Sequence, residues 1–152
     1  MKKAVSILFS FILVLCLSFA LGGCGGNKTE LSEDDKDILR YYHEPTIDED
    51  FKDNVINVIL KSAFRELEEI SFKDLKVVEK VSHISYIDLY TKQIPYSEDG
   101  IIALDSCQYN HMFDIVLEEH SKEKVLKACD LLNRLDIVLI AGPDYVYDIV
   151  ND

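Results

Sequence analysis

The chain has 152 residues, 28 of them acidic and 16 basic, giving a net charge of −12 at pH 7. That length supports one domain with a sizeable core but hardly two. A balance this acidic strongly disfavours nucleic acid as a partner.

In chain order, Lys2 and Lys3 form a short basic region, followed by an apolar run from Ala4 to Leu21 that is broken only by Ser6, Ser10 and Ser18. Together they read as the n- and h-regions of a signal peptide. Length alone does not separate this from a spanning helix, which needs about 20 apolar residues. What decides is Leu21-Gly22-Gly23-Cys24, which resembles the lipobox of bacterial lipoproteins: an aliphatic residue, two small ones, then cysteine. The resemblance implies a diacylglycerol thioether on Cys24 and cleavage just before it. Glycines at 22, 23, 25 and 26 agree with this, because a stable anchor helix would not carry four glycines there. Removing residues 1–23 takes away two lysines and no acid, leaving 129 residues with a net charge of −14. The expectation is a protein held by acyl chains on the extracytoplasmic side of a cell membrane, with no basic face for anionic headgroups.

Residues 25–37 are polar, acidic and glycine-led, with Leu31 their single aliphatic side chain, and read as a disordered tether. The Glu33-Asp34-Asp35-Lys36-Asp37 cluster lacks the loop glycine and the twelfth-position glutamate of a calcium loop, so solvated charge is expected. Ile38 to Tyr42 reads as a short helix or an extended lead-in, and His43-Glu44-Pro45 stops it, because the residue before proline is pushed out of the helical region. The expected organisation is therefore a signal peptide over 1–23, a lipidated cysteine and acidic tether over 24–50, and a folded domain over 51–152.

Within that domain, the β-branched run Val55 to Leu60 predicts a first strand. Ser62 as a cap and Phe64, Leu67 and Ile70 at helical spacing predict a first helix. Val77 to Val81 and Ile84 to Leu89 form a second extended segment, and Pro95, Asp99 and Gly100 mark a long turn. His111 to Leu117 is a third strand. Ser121 caps a helix from Lys122 to Leu135, whose apolar stripe is Val125, Ala128, Cys129, Leu132 and Leu135. Ile137 to Ala141 is a fourth strand that continues past Gly142-Pro143 into Tyr145-Val146-Tyr147. Strand, helix, strand, strand, helix, strand predicts an α+β fold, the ferredoxin-like βαββαβ with antiparallel sheet order 4-1-3-2. Such a layout places Cys129 about eight residues into its helix, opposite residue 115 or 116. Cys107 is then too far away for a bridge, which needs Cα atoms within about 7 Å, so a buried thiol at Cys129 is expected.

The stretch Ser121-Lys122-Glu123-Lys124-Val125-Leu126-Lys127-Ala128, then Leu131-Leu132, then Asp136 through Tyr145, resembles the second half of subtilase-propeptide-like domains, with a weaker likeness from Phe51 to Ile56. In those domains a helix leads through a valine-marked strand into an Ala-x-Pro-Asn/Asp-Tyr corner. The resemblance implies an intramolecular chaperone and inhibitor of a subtilisin-like protease, or a propeptide-like module used on bacterial surface proteins. No protease domain follows here, so a module standing alone on its anchor is expected. The resemblance also implies that the C-terminal segment binds a partner as an extended strand, with Tyr145, Tyr147 and Val150 as contact residues and Tyr147 or Val150 in a specificity pocket. The alternative is a cell-envelope interaction lipoprotein without a protease partner.

An enzyme reading has no constellation to rest on. His43, His83, His111 and His120 form no i, i+4 zinc pair, and neither a Gly-x-Ser-x-Gly elbow nor a phosphate-cradling glycine loop is present. No catalytic residue, metal ligand or cofactor is expected.

Overall fold

A computed structural model describes residues 29–64, 67, 69–103 and 112–146. The elements run in the order α1 (Glu33–Leu39), β1 (Phe51–Leu60), β2 (Glu69–Ser71), β3 (Ile84–Asp88), β4 (Gln93–Pro95), β5 (Ile101–Ala103), β6 (Met112–Leu117), α2 (Lys122–Leu132) and β7 (Val138–Tyr145). Short 3-10 turns occupy Ser62–Phe64, Phe72–Leu75 and Val78–Lys80.

The main sheet has five strands in the order β4-β3-β6-β1-β7, and β2 with β5 forms a separate two-stranded sheet. All neighbouring strands are antiparallel. This is not the ferredoxin-like βαββαβ arrangement with sheet order 4-1-3-2 expected from the sequence. The main sheet has five strands, a second small sheet is present, and the described residues contain two α-helices, one of them ahead of β1.

The helix expected after β1 does not form because its residues have other work. Ser62 turns its N–H and hydroxyl to Asp35, at 3.0 and 2.8 Å, so it caps nothing downstream. Ile70 is buried within β2 opposite Ile102, whereas Leu67 is 43% exposed, so the three apolar residues share no helical face. The layer in that place is built from Phe72, Leu75 and Val78, all fully buried. Their spacing of three is the repeat of a 3-10 turn, and it accounts for why 77–81, read as extended, is not a strand. Gln93–Pro95, read as part of a long turn, pairs with β3 instead.

A single core cluster joins these turns to one face of the sheet and to α2, through Ile56, Val58, Phe113, Ile115, Leu117, Val125 and Leu132 among others. Ser121 does cap α2, its hydroxyl accepting the Lys124 N–H. Val125, Ala128, Cys129 and Leu132 are the buried stripe of that helix. The Cys129 thiol is free, and burial pushes its pKa up to about 12, so it is not a reactive thiolate at neutral pH.

Residues 33–39, read as part of a disordered tether, form α1. A capping box at Ser32 and Asp35 starts the helix, and the Asp35 side chain is fully buried. Burial alone would raise the carboxyl pKa; the hydrogen bonds from Ser62 and Ser32 outweigh it and hold the carboxyl below its ordinary value.

The outer edge of β7 is met by α2. Asn133 donates from Nδ2 to the Ala141 carbonyl at 2.9 Å and accepts the Ala141 N–H at 2.7 Å, so its side-chain amide takes the place of a further strand. Two neutral hydrogen bonds are worth about 1 kcal/mol each. Asn133→Ala should therefore lower stability by about 1–2 kcal/mol in urea unfolding; an unchanged midpoint would show that water replaces the amide without loss.

Candidate open-face site

Side chains alternate across a strand, so β1, β6 and β3 turn Asn57, Asp114 and Asp88 to the face opposite the core. The register sets Asn57 against Asp114, and Asp114 against Asp88. Two carboxylates directly opposite each other are unfavourable, and the surrounding groups offset this. Asn57 Nδ2 and the Tyr90 hydroxyl both donate to Asp114 Oδ1 at 2.9 Å, and Asn57 Nδ2 also lies 2.7 Å from the Tyr90 oxygen. Asp88 accepts the Tyr90 N–H at 2.8 Å through Oδ1 and the Gln93 amide at 3.0 Å through Oδ2.

Tyr90 adopts a left-handed backbone at φ 64°. A non-glycine residue there is strained by about 1–3 kcal/mol, and the bonds to Asp88 and Asp114 hold it in place. Burial, together with the adjacent Asp114 carboxylate, raises the Tyr90 pKa well above its ordinary value. The Asp114 pKa is also raised, first by burial and then by the charges of Asp144 and Asp88, against the lowering effect of the Asn57 and Tyr90 bonds. Asp144, further along the same face, is paired with Lys52 at 2.6 Å.

Beside this row lies a groove of roughly 350 Å³, floored by Ile59, Ile140 and Gly142 and walled by Tyr41 and His43, with Asn57 shared between row and groove. Tyr41 is 88% exposed. The surface as a whole is a polar, acid-rich row next to a shallow apolar groove. Nothing in it positions a nucleophile against a base; it is built to accept donors and cations and to seat an apolar side chain.

Of the expected partner-binding tail, Tyr145 is described, and it is packed. Its hydroxyl donates to Glu49 Oε2 at 3.0 Å and lies 3.2 Å from His43 Nε2. Its ring tilts over His43 at 5.6 Å and meets Phe51 edge-on at 6.2 Å. The Thr46 N–H, more than any other group, holds Glu49 below its ordinary pKa. Tyr147 and Val150 lie outside the described residues, as do Leu21, Gly22, Gly23, Cys24, Cys107 and His111. Asp35, Asn57, Tyr90, Asp114 and Asn133 went unremarked as sites in the sequence. The Ser-x-x-Asp pattern at 32–35 was the one local signal available, since it is the signature of a capping box.

Among the described residues, no group of three or more His, Cys, Asp or Glu side chains could hold a metal ion, and no helix is long and apolar enough to cross a membrane. Compared with protein-family models, with curated proteins and with solved structures, the chain has no match.

Proposed function

We propose that this chain is a lipid-anchored extracytoplasmic protein-binding module, attached to the membrane through Cys24, that engages a partner protein across the open face of its main sheet. The observation that carries this reading is the face itself. It displays Asp88, Asp114 and Asp144 beside an apolar groove, and among the described residues no layer covers it as α2 and the 3-10 turns cover the other face. An acid-rich row favours a partner that presents lysine or arginine, and the exposed Tyr41 at the rim of the groove is of the residue type enriched where partners bind.

A subtilisin-like protease is one partner to test. The resemblance that suggested it implied a ferredoxin-like fold, so the structural part of that argument no longer applies. An envelope protein of another kind is the alternative. A soluble form used to assay protease inhibition should begin no later than Thr29, because starting at residue 38 would delete the buried Asp35.

The test has two arms. Cys24→Ser should move the protein from the membrane fraction to soluble material or unprocessed precursor; unchanged mass and detergent partitioning would remove the anchor. A photo-crosslinking residue at Ile59 or Tyr86 should give a discrete adduct with a partner in intact cells, while the same residue at Lys127, on the exposed side of α2, should not. Equal labelling from the two faces, or none from the open face, would sink the docking surface.

A further inference from the structure

The N-terminal segment is fastened to the domain at one particular place. The Thr29 N–H and hydroxyl both bond the Asp136 carboxylate, at 3.0 and 2.5 Å. Lys61, only 8% exposed, reaches the same carboxylate at 2.8 Å, and these bonds, Lys61 first, push the Asp136 pKa down to about 2. Asp35 is bonded to Ser62 next door. All of these residues sit at one end of the main sheet, where β1 finishes and β7 begins: Leu60 pairs with Val138, and the Lys61 N–H donates to the Ile137 carbonyl. From there α1 and the residues after it follow the β7 edge to the opposite end, where His43 and Glu49 meet Tyr145. Strand β1, ten residues long, separates the two ends by about 33 Å.

The first residue fixed to the domain is therefore Thr29 and not Phe51. Five residues of chain, from Cys24 to Thr29, span at most about 18 Å. A free run from Cys24 to Phe51 would reach roughly 90 Å when extended.

We infer that residues 29–39 are a strut that holds the Lys61 and Asp136 end of the sheet against the bilayer and displays the Tyr145 end, with the chain that follows it, away from the membrane. The partner of the near end is the lipid surface. Two acids on that side are neutralised within the fold, Asp136 by Lys61 and Asp130 by Arg134, which reduces repulsion from anionic headgroups despite the acidic whole. The inference rests on the anchor proposed at Cys24 and adds orientation and reach to it.

The experiment uses the full-length lipidated protein in liposomes whose headgroups carry nitroxide quenchers. A fluorophore replaces either Arg134, at the near end of α2, or His120, just before its far end; both side chains are exposed. The two positions are separated by about 20 Å along the helix, so quenching at 134 should exceed that at 120 by at least about threefold. Inserting twenty glycine and serine residues between positions 28 and 29 leaves every docking bond intact and should bring the ratio close to one. Asp35→Ala should do the same by releasing the strut, and the insertion keeps the test decisive if that variant fails to fold. Equal quenching at the two positions in protein that floats with the liposomes would overturn the strut and spare the anchor, as would a ratio that the insertion does not change. Protein that does not float would overturn both.

Discussion

Truncating Phe72 to alanine should lower the unfolding free energy by about 3–5 kcal/mol, the range for deleting a buried aromatic ring. The ring is fully buried and stacks on Tyr96 with centroids 5.2 Å apart and planes 23° apart. Its backbone N–H is tied to the Gly100 carbonyl at 3.0 Å, and Gly100 lies so close that a Cβ there would fall 2.2 Å from Phe72 Cδ2. The site therefore has an internal control of opposite sense. Gly100→Ala adds volume where Phe72→Ala removes it, and overpacking should cost about 1–3 kcal/mol. Both are read as shifts in urea midpoint at constant m-value. A Phe72→Ala loss below about 1 kcal/mol would mean that the turn-built layer is not packed on the sheet, because so small a loss is ordinary for a surface site.

The second large effect belongs to α2. Leu132 is fully buried at the point where the helix crosses β1 and β7, and Leu132→Ala should cost about 2–5 kcal/mol. Lys127 lies on the exposed side of the same helix, so Lys127→Ala should change stability by less than about 0.5 kcal/mol. Comparable losses at the two positions would require a helix rotated about its axis from the one described.

The contrast between these two sites marks what could be read from the chain alone. The α2 stripe, its Ser121 cap and the apolar strands β1 and β6 are local patterns, in which a period of 3.6 or a β-branched run is stated within a dozen residues. The segment from Ser62 to Val81 was read wrongly because its local signals conflict. Phe64, Leu67 and Ile70 are spaced like a helix face, while Val77, Val78 and Val81 favour strand. What settles the matter is distant: Ser62 is taken by Asp35, and Ile70 is drawn into pairing with Ile102. With that helix goes the ferredoxin-like topology that depended on it.

The open-face row was illegible for a related reason. Asp88 and Asp114 are 26 positions apart in sequence, and only the β3/β6 register sets them face to face. The left-handed Tyr90 that bridges them carries no residue-type signal, since tyrosine, unlike glycine or asparagine, is not typical of that conformation. The acidic stretch at 33–37 failed in the opposite way. Its composition is that of a linker, yet one carboxylate in it, Asp35, is a buried structural group.

The treatment of the sheet margins bears on how copies of this protein behave together. Confined to a membrane plane, neighbouring domains would meet far more often than in dilute solution, and an open strand invites pairing into β-linked aggregates. Strand β4 offers only three residues and ends on Pro95, which lacks an N–H to donate. On β7, Asn133 already occupies the donor and acceptor of Ala141, and Pro143 again has no N–H. With a proline on each margin and an amide clamp on the longer one, the sheet is closed to lateral recruitment of another copy, and crowding at the surface need not become aggregation.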